Sequence, residues 1–384
     1  MLVCLFWSAV LWMDWRRQGS RAKLWLMLFS IAATLLYMGH YVYFNLDYAV
    51  IPVADTIYSM ANLAVFPLYY LYIREMTEGH SDMKCQIYAI IPAVAIGIAV
   101  GTIYALMSPE DKLCFIKKYL YAKQAIGGDN FFQAQSIVHN IAKIIFGLQV
   151  TLVLTKGYKR IKKFDEMVEN SFADTDERTL RNSHTILFLL VITSVVSFIA
   201  NVIGKDVFAG SLLWLSIPSV VFSSLLFMLL YIGHRQDFSI KELREETSKA
   251  DTIDSVGAGA NVISQLSADI ERIMNEEMYF LQPDLRISDL AIRLHTNRQY
   301  IYQAININLH TTFSEYINRK RVEHVKQLLK ENPEALSTEI YLKAGFTSQA
   351  SYFRNFKLHT GMTPKQYLQK WTENLHSAKI ITNF

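Results

Sequence analysis

Residues 345–367 read GFTSQASYFRNFKLHTGMTPKQY, and the fold of the C-terminal third turns on them. Gly345 closes a turn, Thr347 or Ser348 supplies an N-cap, and a helix runs to about Lys357. At helical spacing Phe346, Tyr352 and Phe356 point inward, which leaves Ser348, Gln349, Phe353, Arg354 and Lys357 on the outer face. Gly361 and Pro364 then punctuate a last helix over 364–371.

Upstream, Ser337 caps a short helix over 338–343, so the stretch reads as helix, turn, helix. The arrangement occurs once before, about 50 residues earlier. There Ser288 caps 289–294, His295-Thr296-Asn297 breaks the chain, and 298–305 form the second helix. Ile301 and Ile305 are its inward residues, and Arg298, Gln299, Tyr302, Gln303 and Asn306 its outer ones. Phe313–Glu331 is a longer helix between the two units and ends at Asn332-Pro333. A first helix over 263–278 carries Ile263, Leu266, Ile270, Ile273 and Met274 on one face. Almost no β-type alternation occurs, so 263–384 is expected to be all-α, with two helix-turn-helix units.

The stretch from Gly345 to Lys357, with Thr360-Gly361-Met362-Thr363-Pro364 and Tyr367, resembles the signature of AraC/XylS-type transcription regulators. The resemblance covers about residues 263–372. The first unit agrees through Asp289-Leu290-Ala291, Asn297-Arg298, Tyr300-Ile301, Phe313-Ser314-Glu315-Tyr316 and Arg321. It departs at His295 and His310, where the family usually has glycine, and at Gln303, where a basic residue is common. The resemblance implies a bihelical DNA-binding domain whose two recognition helices enter successive major-groove segments of one face of double-stranded DNA, with RNA polymerase as a further partner. The helical period independently supports this: Phe313–Glu331 spans nearly 30 Å at 1.5 Å per residue, close to the roughly 34 Å repeat of B-DNA. Of the outer residues, Gln suits adenine, Arg suits guanine or phosphate, and Lys357 reads as a phosphate contact. Arg319, Lys320, Arg321 and Lys326 are further phosphate candidates, with a structural role for Arg321 as the alternative.

The rest of the chain lives in another solvent. The 384 residues are 52% hydrophobic and 19% charged, against about 25% charged in an average soluble protein. Charges over 1–232 are crowded between long uncharged runs, whereas 263–384 has no uncharged run long enough to cross a bilayer. This excludes a single soluble globule, a disordered chain and a fibrous repeat. Six runs, at 24–44, 50–73, 87–107, 131–154, 185–203 and 211–232, have the roughly 20 apolar residues a spanning helix needs. The opening run, 1–13, is uncharged but short, so the bundle is expected to have six or seven spans. The loops at 14–23, 74–86 and 155–184 carry 13 Lys and Arg against 5 in the intervening ones, which puts them and the C-terminal domain in the cytoplasm, beneath the inner membrane.

Ionisable residues inside spans are default functional candidates. Asp55 and Lys143 lie at similar depth and could pair, either structurally or as part of an outward-facing signal pocket with His40, Asn62, His139 and Asn140. Residues 1–232 are thus expected to form a transmembrane, sensor-like domain. Within the linker, 233–262, Ile240, Leu243, Thr247 and Ala250 make a short heptad-like seam, read as a plain connecting helix or a homodimer contact. Residues 251–261 are expected to be flexible. The three cysteines suggest no disulfide framework, and no metal, cofactor or nucleotide motif supports an enzyme. Two functions remain: a membrane-anchored DNA-binding transcription regulator answering an unknown signal ligand, or a receptor or transporter with a cytosolic protein-docking tail.

Overall fold

The structure is a computed structural model that describes residues 1–45, 47–79, 88–121, 130–176, 178–180, 188, 191–192, 212–236, 240, 243–245, 260–331 and 339–381. The described residues are helical, apart from turns and one isolated β-bridge between Phe172 and Arg286. They divide into two compact units. The first comprises Met1–Phe164 and Leu180–Ile240, the second Asp165–Thr179 and Lys241–Phe384. Cys85, most of the expected span at 185–203, the segment 251–259 and the helix ends at 332–338 lie outside the described residues.

The first unit contains α1 (Leu2–Gln18), α2 (Arg21–Phe44), α3 (Ile51–Glu78), α4 (Ile91–Leu106) and α5 (Pro109–Phe115). A π-helical turn (Ile116–Tyr121), the long α6 (Asn130–Glu169, of which Asp165–Glu169 group with the second unit) and α7 (Leu212–Arg235) follow. Helices α2, α3 and α6 are long and apolar enough to cross a membrane, while α4 and the stretch Val220–Arg235 are shorter apolar helices. Small residues let these helices approach closely, the usual device where packing, not water exclusion, must hold helices together. A Cβ on Gly39 of α2 would lie 2.9 Å from that of Tyr58 on α3, and one on Gly97 of α4 would lie 3.0 Å from that of Met60. Buried Lys23, near the start of α2, donates from Nζ to the carbonyl oxygens of Gly233 (3.1 Å), His234 and Gln236 (3.1 Å). The ammonium thereby satisfies the orphan carbonyls at the negative end of α7.

The second unit is built from α8 (Ala260–Glu276), α9 (Ile287–Arg293), α10 (Arg298–Gln303), α11 (Phe313–Glu331), α12 (Ile340–Lys343), α13 (Gln349–Thr360) and α14 (Pro364–Ile381). A 3-10 turn, Tyr279–Leu281, precedes α9, and a π-helical turn, Ala304–Asn308, follows α10. Helix α11 falls on its expected bounds, and α13 starts from Ser348 and ends at Gly361 in the left-handed region. Several expected bounds shift: α8 runs Ala260–Glu276 and not 263–278, α10 gives way after Gln303 to the π-helical turn, and α12 begins at Ile340 after Glu339 and not at 338. Ser288 lies inside α9, whose N-cap is Arg286; the Arg286 amide donates to Asp289 Oδ2 at 2.8 Å because the acid, three residues on, reaches back to an otherwise orphan donor. The last helix runs ten residues beyond its expected end at Trp371, to Ile381.

Two cores form, and α11 feeds both. Its first half, through Phe313, Tyr316 and Ile317, packs with Ile270 and Met274 of α8, Leu290 of α9 and Ile301 of α10. Its second half, through Val322, Val325 and Leu329, packs with Ile340, Phe346, Tyr352 and Phe356. Between them Gly345 has φ +83°, and a Cβ there would lie 2.6 Å from the carbonyl oxygen of Leu281. Only glycine fits that turn.

Candidate functional site

In the second unit the faces expected from periodicity are found. Ile301 and Ile305 are fully buried, as is Phe356, and Phe346 and Tyr352 are nearly so. On the opposite side of α10, Gln299 and Tyr302 are exposed, and Arg298, Gln303 and Asn306 are half-buried. On α13, Gln349, Phe353, Arg354 and Lys357 are exposed. Ser348 is half-buried, and its Oγ accepts from the Ser351 amide at 3.1 Å, leaving the hydroxyl proton to donate elsewhere. Likewise Asn297 Oδ1 caps α10 through the Tyr300 amide at 3.0 Å. The caps explain why both short helices begin where they do.

The basic residues of α11 sort differently. Arg321 is fully buried, so it is not a phosphate contact. Its Nε donates to the carbonyl of Phe280 and its Nη2 to that of Gln282, each at 2.8 Å, and the guanidinium lies 5.5 Å from the Phe346 ring centroid. Burial pulls its pKa down to about 10, with Asp174 and Asp284 opposing, so it stays charged at neutral pH. Lys320 bonds Asn275 Oδ1 at 2.8 Å, Lys326 pairs with Glu323 at 2.8 Å, and exposed Arg319 lies over the Tyr316 ring.

In the first unit the expected pairing of Asp55 with Lys143 is not found. Asp55 Oδ2 instead accepts from the Tyr104 hydroxyl at 2.8 Å and meets His139 Nε2 at 2.9 Å. The other ring nitrogen, Nδ1, faces the Gln135 carbonyl at 2.8 Å. Lys143, one turn beyond His139, turns to Asn140 Oδ1 at 3.2 Å and to the face of Tyr119. Phe115 and Tyr119 pack beside His139. Asn62 is half-buried two turns beyond Asp55, and His40 stands edge-on to Tyr58 with centroids 5.0 Å apart. Tyr104 was hidden in the sequence among apolar neighbours; the buried carboxylate's need of a donor was the signal that could have found such a partner.

The family description "Helix-turn-helix domain" matches residues 290–370. An uncharacterized HTH-type transcriptional regulator of Staphylococcus aureus strain MSSA476 is 35% identical over 106 residues, 27% of this chain and 14% of that protein. The melibiose operon regulatory protein of Escherichia coli K12 is 31% identical over 83 residues, 22% of this chain and 27% of that protein. The chain therefore covers only a small part of these relatives' length. No solved structure matches it. Residues 290–370 are an AraC-type helix-turn-helix domain, a module of transcription regulators and not of enzymes.

Proposed function

We propose that this chain is a multi-pass regulator of the cytoplasmic membrane whose C-terminal domain binds specific DNA and changes transcription in answer to a signal at the membrane or outside. The observation that carries this reading is the union, in one chain, of an AraC-type domain with apolar helices, three of them, among the described residues, long enough to span a bilayer. The apolar window of α6 is only 6% buried, as suits a helix facing lipid. In this reading α9–α10 and α12–α13 are two helix-turn-helix units. Arg298, Gln299, Tyr302, Gln303 and Asn306 of the first, with Ser348, Gln349, Phe353, Arg354 and Lys357 of the second, meet the major groove. The cluster of Asp55 and His139, flanked by Asn62 and Lys143, is the site where the signal acts, and RNA polymerase is the partner downstream.

Ile240 and Leu243 are buried, while the other two seam positions lie outside the described residues. A homodimer through that seam would need both to be exposed again. The function is tested by genome-wide DNA occupancy of the tagged full-length protein beside an Arg354→Ala, Gln349→Ala variant in intact cells. Discrete sites lost in the variant support it. Absence of specific sites, with the protein folded in the membrane, would shift the reading to a receptor with a protein-docking tail.

A further inference from the structure

The second unit contains a segment distant in sequence, Asp165–Thr179, joined to it by a built interface. Residues 171–173 lie antiparallel to 285–287: the Ala173 amide donates to the Leu285 carbonyl and the Ile287 amide to the Ser171 carbonyl, each at 2.9 Å. The Ala173 carbonyl in turn accepts from Ser314 Oγ at 3.0 Å and Asn318 Nδ2 at 2.8 Å, both on α11 and both buried. Phe172 is 1% exposed, with the Arg178 guanidinium 4.4 Å from its ring centroid and that of Arg286 at 5.9 Å. Arg178 also pairs with Asp284 at 2.7 Å. Backbone pairing, apolar burial and ion pairs together hold the segment in one register.

The same segment reaches the second recognition helix, because Asp176 forms an ion pair with Arg354. Arg354 is the strongest candidate on α13 for a guanine or phosphate. A carboxylate and a DNA phosphate both offer paired oxygens to a guanidinium fork, so one excludes the other. Asp174, 8% exposed, adds a second negative charge near Arg354. Apart from Ala173, the residues of the two cores lie within 260–381.

We propose that Asp165–Thr179 is a built-in competitor of DNA, in which Asp176 occupies Arg354 in place of a phosphate or guanine until the segment is released. The inference rests on the DNA-binding reading above. Release has a natural handle, since Asp165–Glu169 form the C-terminal end of α6, whose earlier residue His139 belongs to the Asp55 cluster.

The test uses the full-length protein in nanodiscs of phosphatidylethanolamine and phosphatidylglycerol and a fluorescent 40-base-pair duplex, taken from an occupied site or of random sequence. Asp176→Asn removes the charge while keeping the size of the side chain. It is expected to bind the duplex about five- to tenfold more tightly, with the salt dependence steeper by about one counterion as Arg354 becomes free to take a phosphate. Arg354→Ala should bind more weakly than the wild type, and adding Asp176→Asn to it should change nothing further. If the wild type binds duplex and Asp176→Asn binds equally or less tightly, the competitor falls while the DNA-binding reading stands. If neither the wild type nor any variant binds duplex, the DNA-binding reading falls and the competitor with it. Tightening by Asp176→Asn that persists in the Arg354→Ala background would overturn the pairing as its cause.

Discussion

Arg321 donates from Nε to the carbonyl oxygen of Phe280 at 2.8 Å, across the junction between the two cores of the C-terminal domain. A second bond to Gln282 and the nearby face of Phe346 complete its surroundings. Arg321→Ala would leave two carbonyls without their donor and a cavity, at a cost of about 3 kcal/mol. Arg321→Lys keeps the charge but not the fork, so it should be destabilised nearly as much. Thermal unfolding of the full chain measures this. Duplex binding by the fraction still folded should keep the wild-type salt slope, because no phosphate contact is lost; a slope reduced by about one would make Arg321 a phosphate ligand instead.

His295 and His310 are the two positions where the AraC-type pattern usually carries glycine, and both have positive φ, 50° and 51°. A side chain there costs about 1–3 kcal/mol of backbone strain, while glycine costs about 0.5–1 kcal/mol in unfolded-chain entropy. His295→Gly and His310→Gly should therefore each stabilise the domain by about 0.5–1 kcal/mol. A melting temperature lowered by either change would show that the imidazole makes a contact worth more than the strain.

The turns at these histidines were legible because turn chemistry is local: the chain must bend between α9 and α10 whatever packs around it. The same holds for α11 and for the buried and exposed faces of α10 and α13, which follow from spacing and capping. What the sequence did not disclose was long-range. Nothing in residues 171–176 distinguishes them from any polar connection, because their backbone pairs with residues more than 100 positions away. Asp55 marked itself by being charged in an apolar helix, but its partner could not be chosen from depth alone. Lys143 and His139 lie four residues apart on one face of α6, and the shorter, flatter imidazole takes the carboxylate while the longer ammonium turns to Asn140 and Tyr119.

That choice predicts an asymmetry. Asp55→Ala strips His139 and Tyr104 of a shared acceptor in a part-buried site and should cost about 1–3 kcal/mol. Lys143→Ala removes a bond to a neighbour on its own helix and an edge-of-site cation–π contact, and should cost less than about 1 kcal/mol. Thermal unfolding in detergent ranks the two. Equal losses would mean that Lys143 helps to neutralise Asp55 after all. In intact cells Asp55→Ala should also alter the signal level at which DNA occupancy changes, and an unchanged threshold would remove the cluster from signalling.

The C-terminal domain should lose stability as the medium is acidified. Burial lowers the pKa of His324, with Glu331 pulling the other way. It lowers that of His359 too, where Arg319 adds to the effect and Glu315 and Glu323 oppose it. A histidine that holds its proton less firmly when folded leaves the unfolded chain binding more protons on acidification. Its contribution to stability is therefore complete above the ordinary value of 6.5 and is lost as pH falls through 6.5 towards the depressed folded value. Asp174 works in the opposite sense, since burial raises its pKa, but from an ordinary value of 3.8. Between pH 8 and 5.5 the histidines should dominate. The melting temperature of the domain is expected to fall across that interval, and His324→Gln with His359→Gln should flatten the curve. A slope that survives both substitutions would assign the acid sensitivity to another group of the domain.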